Sequence, residues 1–180
     1  MNVAVIDVGS NTIRLLVGTR EAGSLVAVAR GKRVVGLGAD VERTGAISAP
    51  KLAEAVESVE GFVTVARAAG AALIDVVVAS PGRQARNSDQ LVHLLSRAAG
   101  VPVRVLSQDE EARLAFDGAL ECVAPGGSVA VVDVGGGSAQ IAVGTIETGP
   151  AWLRSVDLGS LRLAARIPHG DPPTEEEQAT

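Results

Sequence analysis

The stretch VAVVDVGGGSAQIAVGT, residues 129 to 145, decides the fold, because residues 3 to 19 have already read VAVIDVGSNTIRLLVGT. In both, a strand-like apolar run reaches an aspartate, breaks at small residues and returns as a second strand-like run. The copies align without a gap, Asp133 on Asp7, and Val3, Ala4, Val5, Asp7, Val8, Gly9, Val17, Gly18 and Thr19 all recur. Either stretch alone also reads as an ordinary hairpin with a glycine turn, since Asp-X-Gly is common turn chemistry. Recurrence at one fixed register is hard to obtain from composition alone. It predicts two related loops facing each other across a cleft.

Outward from the first copy, residues 2–7, 12–19 and 24–30 read as three short strands in a meander. RGKRVVGLGADVERTG, residues 30 to 45, reads as a glycine-studded connector with room for one more short strand. Residues 49–69 place Leu52, Val56, Val59, Val63 and Ala66 at helical spacing, with Ser48 as N-cap and Gly70 as stop. IDVVVAS (74–80) predicts a buried strand. SDQLVHLLSRAAG (88–100) predicts a helix with Leu91, Leu94, Leu95 and Ala98 on one face. VPVRVL (101–106) is a strand, and SQDEEARLAFDGALECV (107–123) the next helix. After PGG at 125–127 the opening pattern restarts and runs to a third strand near WLRSVDLG (152–159).

Three strands, helix, strand, helix, strand, helix is the order of a ribonuclease-H-like (actin-like ATPase) lobe, an α/β mixed sheet flanked by helices. Residues 1–124 are expected to form one complete lobe with the first loop. Residues 125–180 are expected to start a second lobe with the second loop. GDPPTEEEQAT (170–180) carries helix-start signals, with Thr174 as N-cap and acids in the first turn. The chain stops before an apolar face appears, so the second lobe reads as truncated.

Composition narrows the function classes. The chain is 47% hydrophobic and 21% charged, enough to bury a core, while aromatics are 2%, so Val, Ala and Leu must build it. A net charge of −5 argues against a broad nucleic-acid-binding face, yet a nest of backbone N–H groups can bind phosphate inside an acidic protein. The single cysteine, Cys122, has no partner for an intramolecular disulfide and no metal-ligand spacing. MNVAVIDVGSN lacks a signal-peptide pattern, and no apolar run approaches the roughly 18 residues of a membrane span. A cytoplasmic protein with no membrane or DNA partner is expected.

Each loop suits an oxyanion. Small residues let the backbone turn sharply with N–H groups inward. Gly9, Ser10, Asn11 and Thr12 form one candidate phosphate loop, and Gly135, Gly136, Gly137 and Ser138 the other. Asp7 and Asp133 close the strands and could hold Mg²⁺, directly or through water, because this hard cation takes carboxylates, waters and phosphate oxygens. In SQDEEARL, Ser107 sits three before Glu110, a capping-box spacing that gives Glu110 a structural role. Glu111 has no such role. It reads either as a solvated acid complementing the helix dipole or as a functional group at a strand end.

These motifs carry a resemblance. VIDVGSNTIRLLV resembles the first phosphate motif of the exopolyphosphatase/guanosine pentaphosphate phosphatase family, and VVDVGGGSAQIAVG its second. The similarity continues in family order through VGLGADVERTGAIS, ASPGRQARN, LSQDEEARLAF and VDLGSLRLAARI, over nearly the whole chain. It implies a Mg²⁺-dependent hydrolase releasing the terminal phosphate of inorganic polyphosphate or guanosine pentaphosphate. By resemblance Glu111 is the catalytic base and Arg83 contacts the phosphate chain, an arginine fork suiting bidentate binding. Arg14 is a further phosphate candidate, with Lys32 and Arg33 behind it. Full-length relatives continue well past residue 180, and a homodimer is expected only through such a missing C-terminal part. Sugar kinases and heat-shock ATPases share the general hairpin, but the Ser10-Asn11 loop and the EEAR motif disfavour that class.

Two departures matter. The family usually has Thr-Ser-Ala-hydrophobic before its arginine. This chain has Ala79-Ser80-Pro81-Gly82, which leaves the path of the loop and the placement of Arg83 open. Relatives commonly carry glutamate where this chain has Gln140, and it helps the paired aspartates hold the metal. Glutamine keeps the shape and removes one negative charge, so Mg²⁺ binding is expected to weaken. The competing reading is therefore a non-catalytic phosphate- or nucleotide-binding module with a weakened metal site. His93 and His169 have no partner at useful spacing, and Trp152 reads as a packing residue of the last strand.

Overall fold

The computed structural model describes residues 1–121, 126–166, 170, 172 and 174–178. Cys122, His169 and the expected lobe boundary at 124/125 lie outside the described residues. The meander is present as β1 (Asn2–Val8), β2 (Thr12–Glu21) and β3 (Ser24–Val34). Then come α1 (Leu37–Thr44), α2 (Ala49–Ala68), β4 (Ala71–Val78), α3 (Ser80–Gln84), α4 (Ser88–Ala99), β5 (Val103–Val105) and α5 (Gln108–Leu120). The restart follows as β6 (Val129–Val134), β7 (Ala139–Thr145), β8 (Gly149–Val156), α6 (Ser160–Arg166) and α7 (Glu175–Gln178).

The first sheet is mixed, in the order β3-β2-β1-β4-β5, with β1–β2–β3 antiparallel and β1–β4–β5 parallel. Its pleat sorts the two faces. Ala4, Ile6 and Val8 of β1 and Ile13, Leu15 and Val17 of β2 are buried in one core with Leu52, Val59 and Val63 of α2 and Leu91 and Leu95 of α4. The alternate residues Val5, Asp7 and Arg14 point to the other face, where no helix of this core covers them and a cleft opens. The period-2 pattern that fills the core therefore also aims Asp7 out of it.

The duplicated hairpins fold alike. β1 pairs β2 from Val3↔Gly18 to Asp7↔Arg14, and β6 pairs β7 from Val129↔Gly144 to Asp133↔Gln140, the same register at the same offset. Both second strands break register against their third strand at equivalent places, Val17/Gly18 and Val143/Gly144. The second sheet has the order β6-β7-β8, and α5 packs on all three of its strands. Sequence order groups α5 with the first sheet; packing places it on the second, with Ala112 and Phe116 of α5 and Ala142 of β7 all fully buried. β1 has partners on both edges, whereas β6 has β7 alone among the described residues.

Three readings are corrected. The glycine-rich connector is not a loop with an added strand: its first residues extend β3, and residues 37–44 form α1. Gly36 and Gly45 both take left-handed φ as its two ends, 73° and 72°. Buried Asp40 fastens it to α2, accepting from the Ser48 N–H at 3.0 Å and from Arg43 at 2.9 Å. The expected strand 74–80 runs instead from 71 to 78, and Ser80 opens α3 with a proline in its first turn. Trp152 is 51% exposed on β8 rather than packed.

Candidate active site

The two loops turn the same way. Gly9 N–H donates to the Thr12 carbonyl at 3.0 Å, and Gly135 N–H to the Ser138 carbonyl at 2.9 Å. Each loop is backed by a helix start. The Asn11 carbonyl accepts from the N–H groups of Val35 and Gly36, and the Ser10 carbonyl from Gly38, at the head of α1. The Gly135 carbonyl accepts from Ser160, and the Gly136 carbonyl from Leu161 and Arg162, at the head of α6. In a planar peptide the N–H points opposite the C=O, so drawing back the Ser10, Gly135 and Gly136 carbonyls turns the N–H groups of Asn11, Gly136 and Gly137 forward. Among the described residues no acceptor takes the N–H of Ser10, Asn11, Gly136 or Gly137. Unpartnered N–H groups in a tight turn form an anion-binding concavity.

The loops meet. Ser10 and Ser80 share a buried hydroxyl–hydroxyl hydrogen bond, and Gly137 lies so close that a methyl there would run into both serine oxygens. Around this contact opens a cleft of about 540 Å³. Of the sequence candidates it brings together Asp7, Gly9, Ser10, Asn11, Thr12 and Arg14 from the first hairpin. Asp133, Gly135, Gly136, Gly137 and Ser138 come from the second, and Glu111 from α5. Lys32 of β3 also lines it.

The carboxylates repel one another. Half-buried Asp7 is pushed up to about 6, first by burial, then by the field of Glu111, with a smaller push from Asp133; Arg14 opposes the rise. Three acids facing one cleft suit a hard cation held in part through water. Among the described residues no group of three or more His, Cys, Asp or Glu side chains is placed to hold a metal ion by itself, so an ion here would need water among its ligands.

Arg83 and Gln140 are placed elsewhere. Arg83 Nη2 donates to Glu111 Oε2 at 2.6 Å and Nη1 to the Leu106 carbonyl at 2.7 Å. Its side chain does not line the cleft. Gln140 is 2% exposed and lies behind the second loop, its amide donating to Ser138 Oγ at 3.0 Å and Ser155 Oγ at 3.2 Å. Glu110 caps its helix as the spacing predicts. Ser107 Oγ accepts from the Glu110 N–H, and the Glu110 carboxylate accepts from the Ser107 N–H.

Residues that the sequence did not single out tie the two sheets together beside the cleft. Arg162 of α6 donates to Gln84 Oε1 at 2.6 Å and lies 3.2 Å from Glu42 of α1. Gln84 in turn donates to Asp157 Oδ1 at 2.8 Å. These partners are far apart in the chain and form no motif. The stretches that carry the resemblance hold them all, Glu42 in VGLGADVERTGAIS, Gln84 in ASPGRQARN, and Asp157 and Arg162 in VDLGSLRLAARI, but nothing in those stretches pairs them.

The family described as the Ppx/GppA phosphatase family matches residues 16–180. Exopolyphosphatase 2 of Mycobacterium tuberculosis is 34% identical over 188 aligned positions, covering 99% of this chain and 58% of that protein. The chain thus spans little more than half the length of this curated relative. The crystal structure of the Aquifex aeolicus member of the Ppx/GppA family is similar with a TM-score of 0.84 and 28% identity, over 99% of this chain and 58% of that one. An exopolyphosphatase from Cytophaga hutchinsonii has a TM-score of 0.91 at 24% identity, over 99% and 57%, a likeness of fold.

Proposed function

Since the chain belongs to the Ppx/GppA phosphatase family, we propose that it forms the phosphate-binding half of a hydrolase that releases the terminal phosphate of inorganic polyphosphate or guanosine pentaphosphate. Its fold is the family's actin-like ATPase fold, a mixed sheet flanked by helices. One observation carries the proposal: Glu111 lines the same cleft as two loops whose N–H groups have no partner among the described residues.

The terminal phosphoryl group would lie between the loops, its oxygens accepting from the N–H groups of Ser10, Asn11, Gly136 and Gly137 and from the Ser138 hydroxyl. Glu111 Oε2 is occupied by Arg83, and Oε1 takes no hydrogen bond among the described residues. Oε1 is therefore available to a water. It would orient that water in line with the bridging oxygen and take its proton as the new P–O bond forms and the bridging P–O bond breaks. Mg²⁺, held by Asp7 and Asp133, would supply charge neutralisation on the phosphate oxygens. Arg14 and Lys32 add positive charge on the same wall.

The test is phosphate release by the full-length protein from polyphosphate and from guanosine pentaphosphate, with and without Mg²⁺. Glu111→Gln should slow release by roughly 10²–10⁴-fold, the usual share of a general base. Undiminished release would sink the assignment of the base. Tight polyphosphate binding with no release by the wild type would favour a binding module instead.

A further inference from the structure

Arg83 has no free fork. One Nη is bound to a backbone carbonyl, the other to Glu111, and Nε is buried with no partner among the described residues. The helix that carries it is closely packed. Pro81 and Gly82 of α3 are buried, and a methyl at Gly82 would stand 2.9 Å from Val105 Cγ1 and 3.0 Å from Val78 Cγ1, on the two strands beneath. The ion pair is itself sheltered, with the Arg83 and Glu111 side chains 16% and 20% exposed. For Arg83 to reach a phosphate it would have to leave Glu111 as a sheltered, unpaired carboxylate, a costly change.

From this we propose that Arg83 is the positioning residue of Glu111. It holds one carboxylate oxygen so that the other faces the water, and leaves the phosphate to the loops. The proposal rests on reading Glu111 as the base. A glutamate side chain has several rotatable bonds, and fixing it before the reaction removes an orientational cost from the chemical step. The Leu106 carbonyl fixes the guanidinium in turn, so the base is referenced to the end of β5 rather than to the substrate.

The experiment measures steady-state phosphate release from polyphosphate by the full-length protein, comparing wild type with Arg83→Gln, Arg83→Lys, Glu111→Gln and the Arg83→Gln/Glu111→Gln double variant. Arg83→Gln should lower kcat by roughly 10–100-fold with KM within about threefold of wild type. Arg83→Lys, which keeps a cation beside Glu111, should recover part of that loss. The double variant should be no slower than Glu111→Gln alone, because a residue acting only through Glu111 has nothing left to position. A raised KM with unchanged kcat, or losses that multiply in the double variant, would overturn the proposal and return Arg83 to the phosphate chain. Full activity in Glu111→Gln would instead overturn the base assignment, independently of Arg83. Should Arg83→Gln fail to fold, Arg83→Lys gives the same division between kcat and KM.

Discussion

The hairpins β1–β2 and β6–β7 share register, the bulge against the third strand, the turn hydrogen bond and a helix start behind the loop. Their surroundings differ. β1 lies between β2 and β4, while β6 has one described partner. Asp7 is half-buried, while Asp133 is exposed. Arg14 stands exposed on the cleft wall, and its equivalent, Gln140, is buried behind a loop. A repeated local sequence therefore reproduces a backbone but not an electrostatic environment. The backbone follows from pleat and turn, whereas burial and charge follow from whatever the rest of the chain packs alongside.

The largest difference should appear at a pair of equivalent glycines. Val17 is opposite Ala29 and Val143 opposite Trp152, so the stretch joining the second pair is three residues shorter. A methyl at Gly144 would collide with the Gly149 carbonyl and stand 2.6 Å from Pro150 Cα, all backbone. At Gly18 its one tight contact would be Leu25 Cδ1, 3.0 Å away at the tip of a half-exposed side chain, with the Val26 carbonyl at an ordinary 3.5 Å. Gly144→Ala should cost about 3 kcal/mol or more, and Gly18→Ala under about 1 kcal/mol, in urea unfolding. Equal costs would mean that the two turns are alike.

How legible was all this in the sequence? The hairpins were, because alternation and small-residue turns are local signals, and α2, α4 and α5 were, because 3.6-residue spacing is too. α1 was hidden by its glycines, two of which, Gly36 and Gly45, serve as helix ends here, while the bond of Asp40 to the Ser48 N–H that holds it leaves no sequence pattern. α3 has five residues, too few for any periodicity. The members of both loops fall together in one cleft, and their grouping was legible because each loop is contiguous. The resemblance sets Arg83 against phosphate, yet its partner is Glu111, 28 positions on, delivered by the parallel pairing of β4 and β5. Such a pairing leaves no mark in local spacing.

The two aspartates sharpen the comparison next. The folded protein holds the Asp7 proton more tightly than the unfolded chain, about 6 against 3.8. Without metal, stability should therefore fall as pH rises from about 4 to about 6 and stay level above. Asp7→Asn should abolish that slope and stabilise the metal-free protein at pH 7 by roughly 2–3 kcal/mol, whereas Asp133→Asn, at an exposed site, should move it by under about 0.5 kcal/mol. Thermal unfolding across pH with a chelator present reads both. A slope that survives Asp7→Asn would place the strained carboxylate elsewhere.

Across the loops, Gly137 corresponds to Asn11. Gly137 is buried against Ser10 and Ser80, while Asn11 is exposed at the cleft. Gly137→Ala should push the second loop off the first and weaken polyphosphate binding by roughly 30-fold, about 2 kcal/mol. Asn11→Ala removes one side-chain donor and should weaken it by about fivefold, near the value of one hydrogen bond. Titration with labelled polyphosphate measures both, and a harmless Gly137→Ala would show that the loops need not touch to bind.

The smallest effect is expected at Gln140, where the sequence suggested a weakened metal site. A carboxylate at position 140 would strengthen Mg²⁺ capture only if it reached the cleft, and the side chain instead serves Ser138 and Ser155 from behind the loop. Both serine hydroxyls can turn to donate to a carboxylate, so Gln140→Glu should cost about 1 kcal/mol of stability for the buried charge. It should change Mg²⁺ affinity by less than about threefold, against more than about tenfold for Asp7→Asn, because charge acts on a hard cation through the ligands that face it. Isothermal titration with Mg²⁺ separates the cases. Tenfold tighter binding in Gln140→Glu would put this side chain in the cleft after all, and the second hairpin would then hold metal with a residue whose counterpart in the first is a cation.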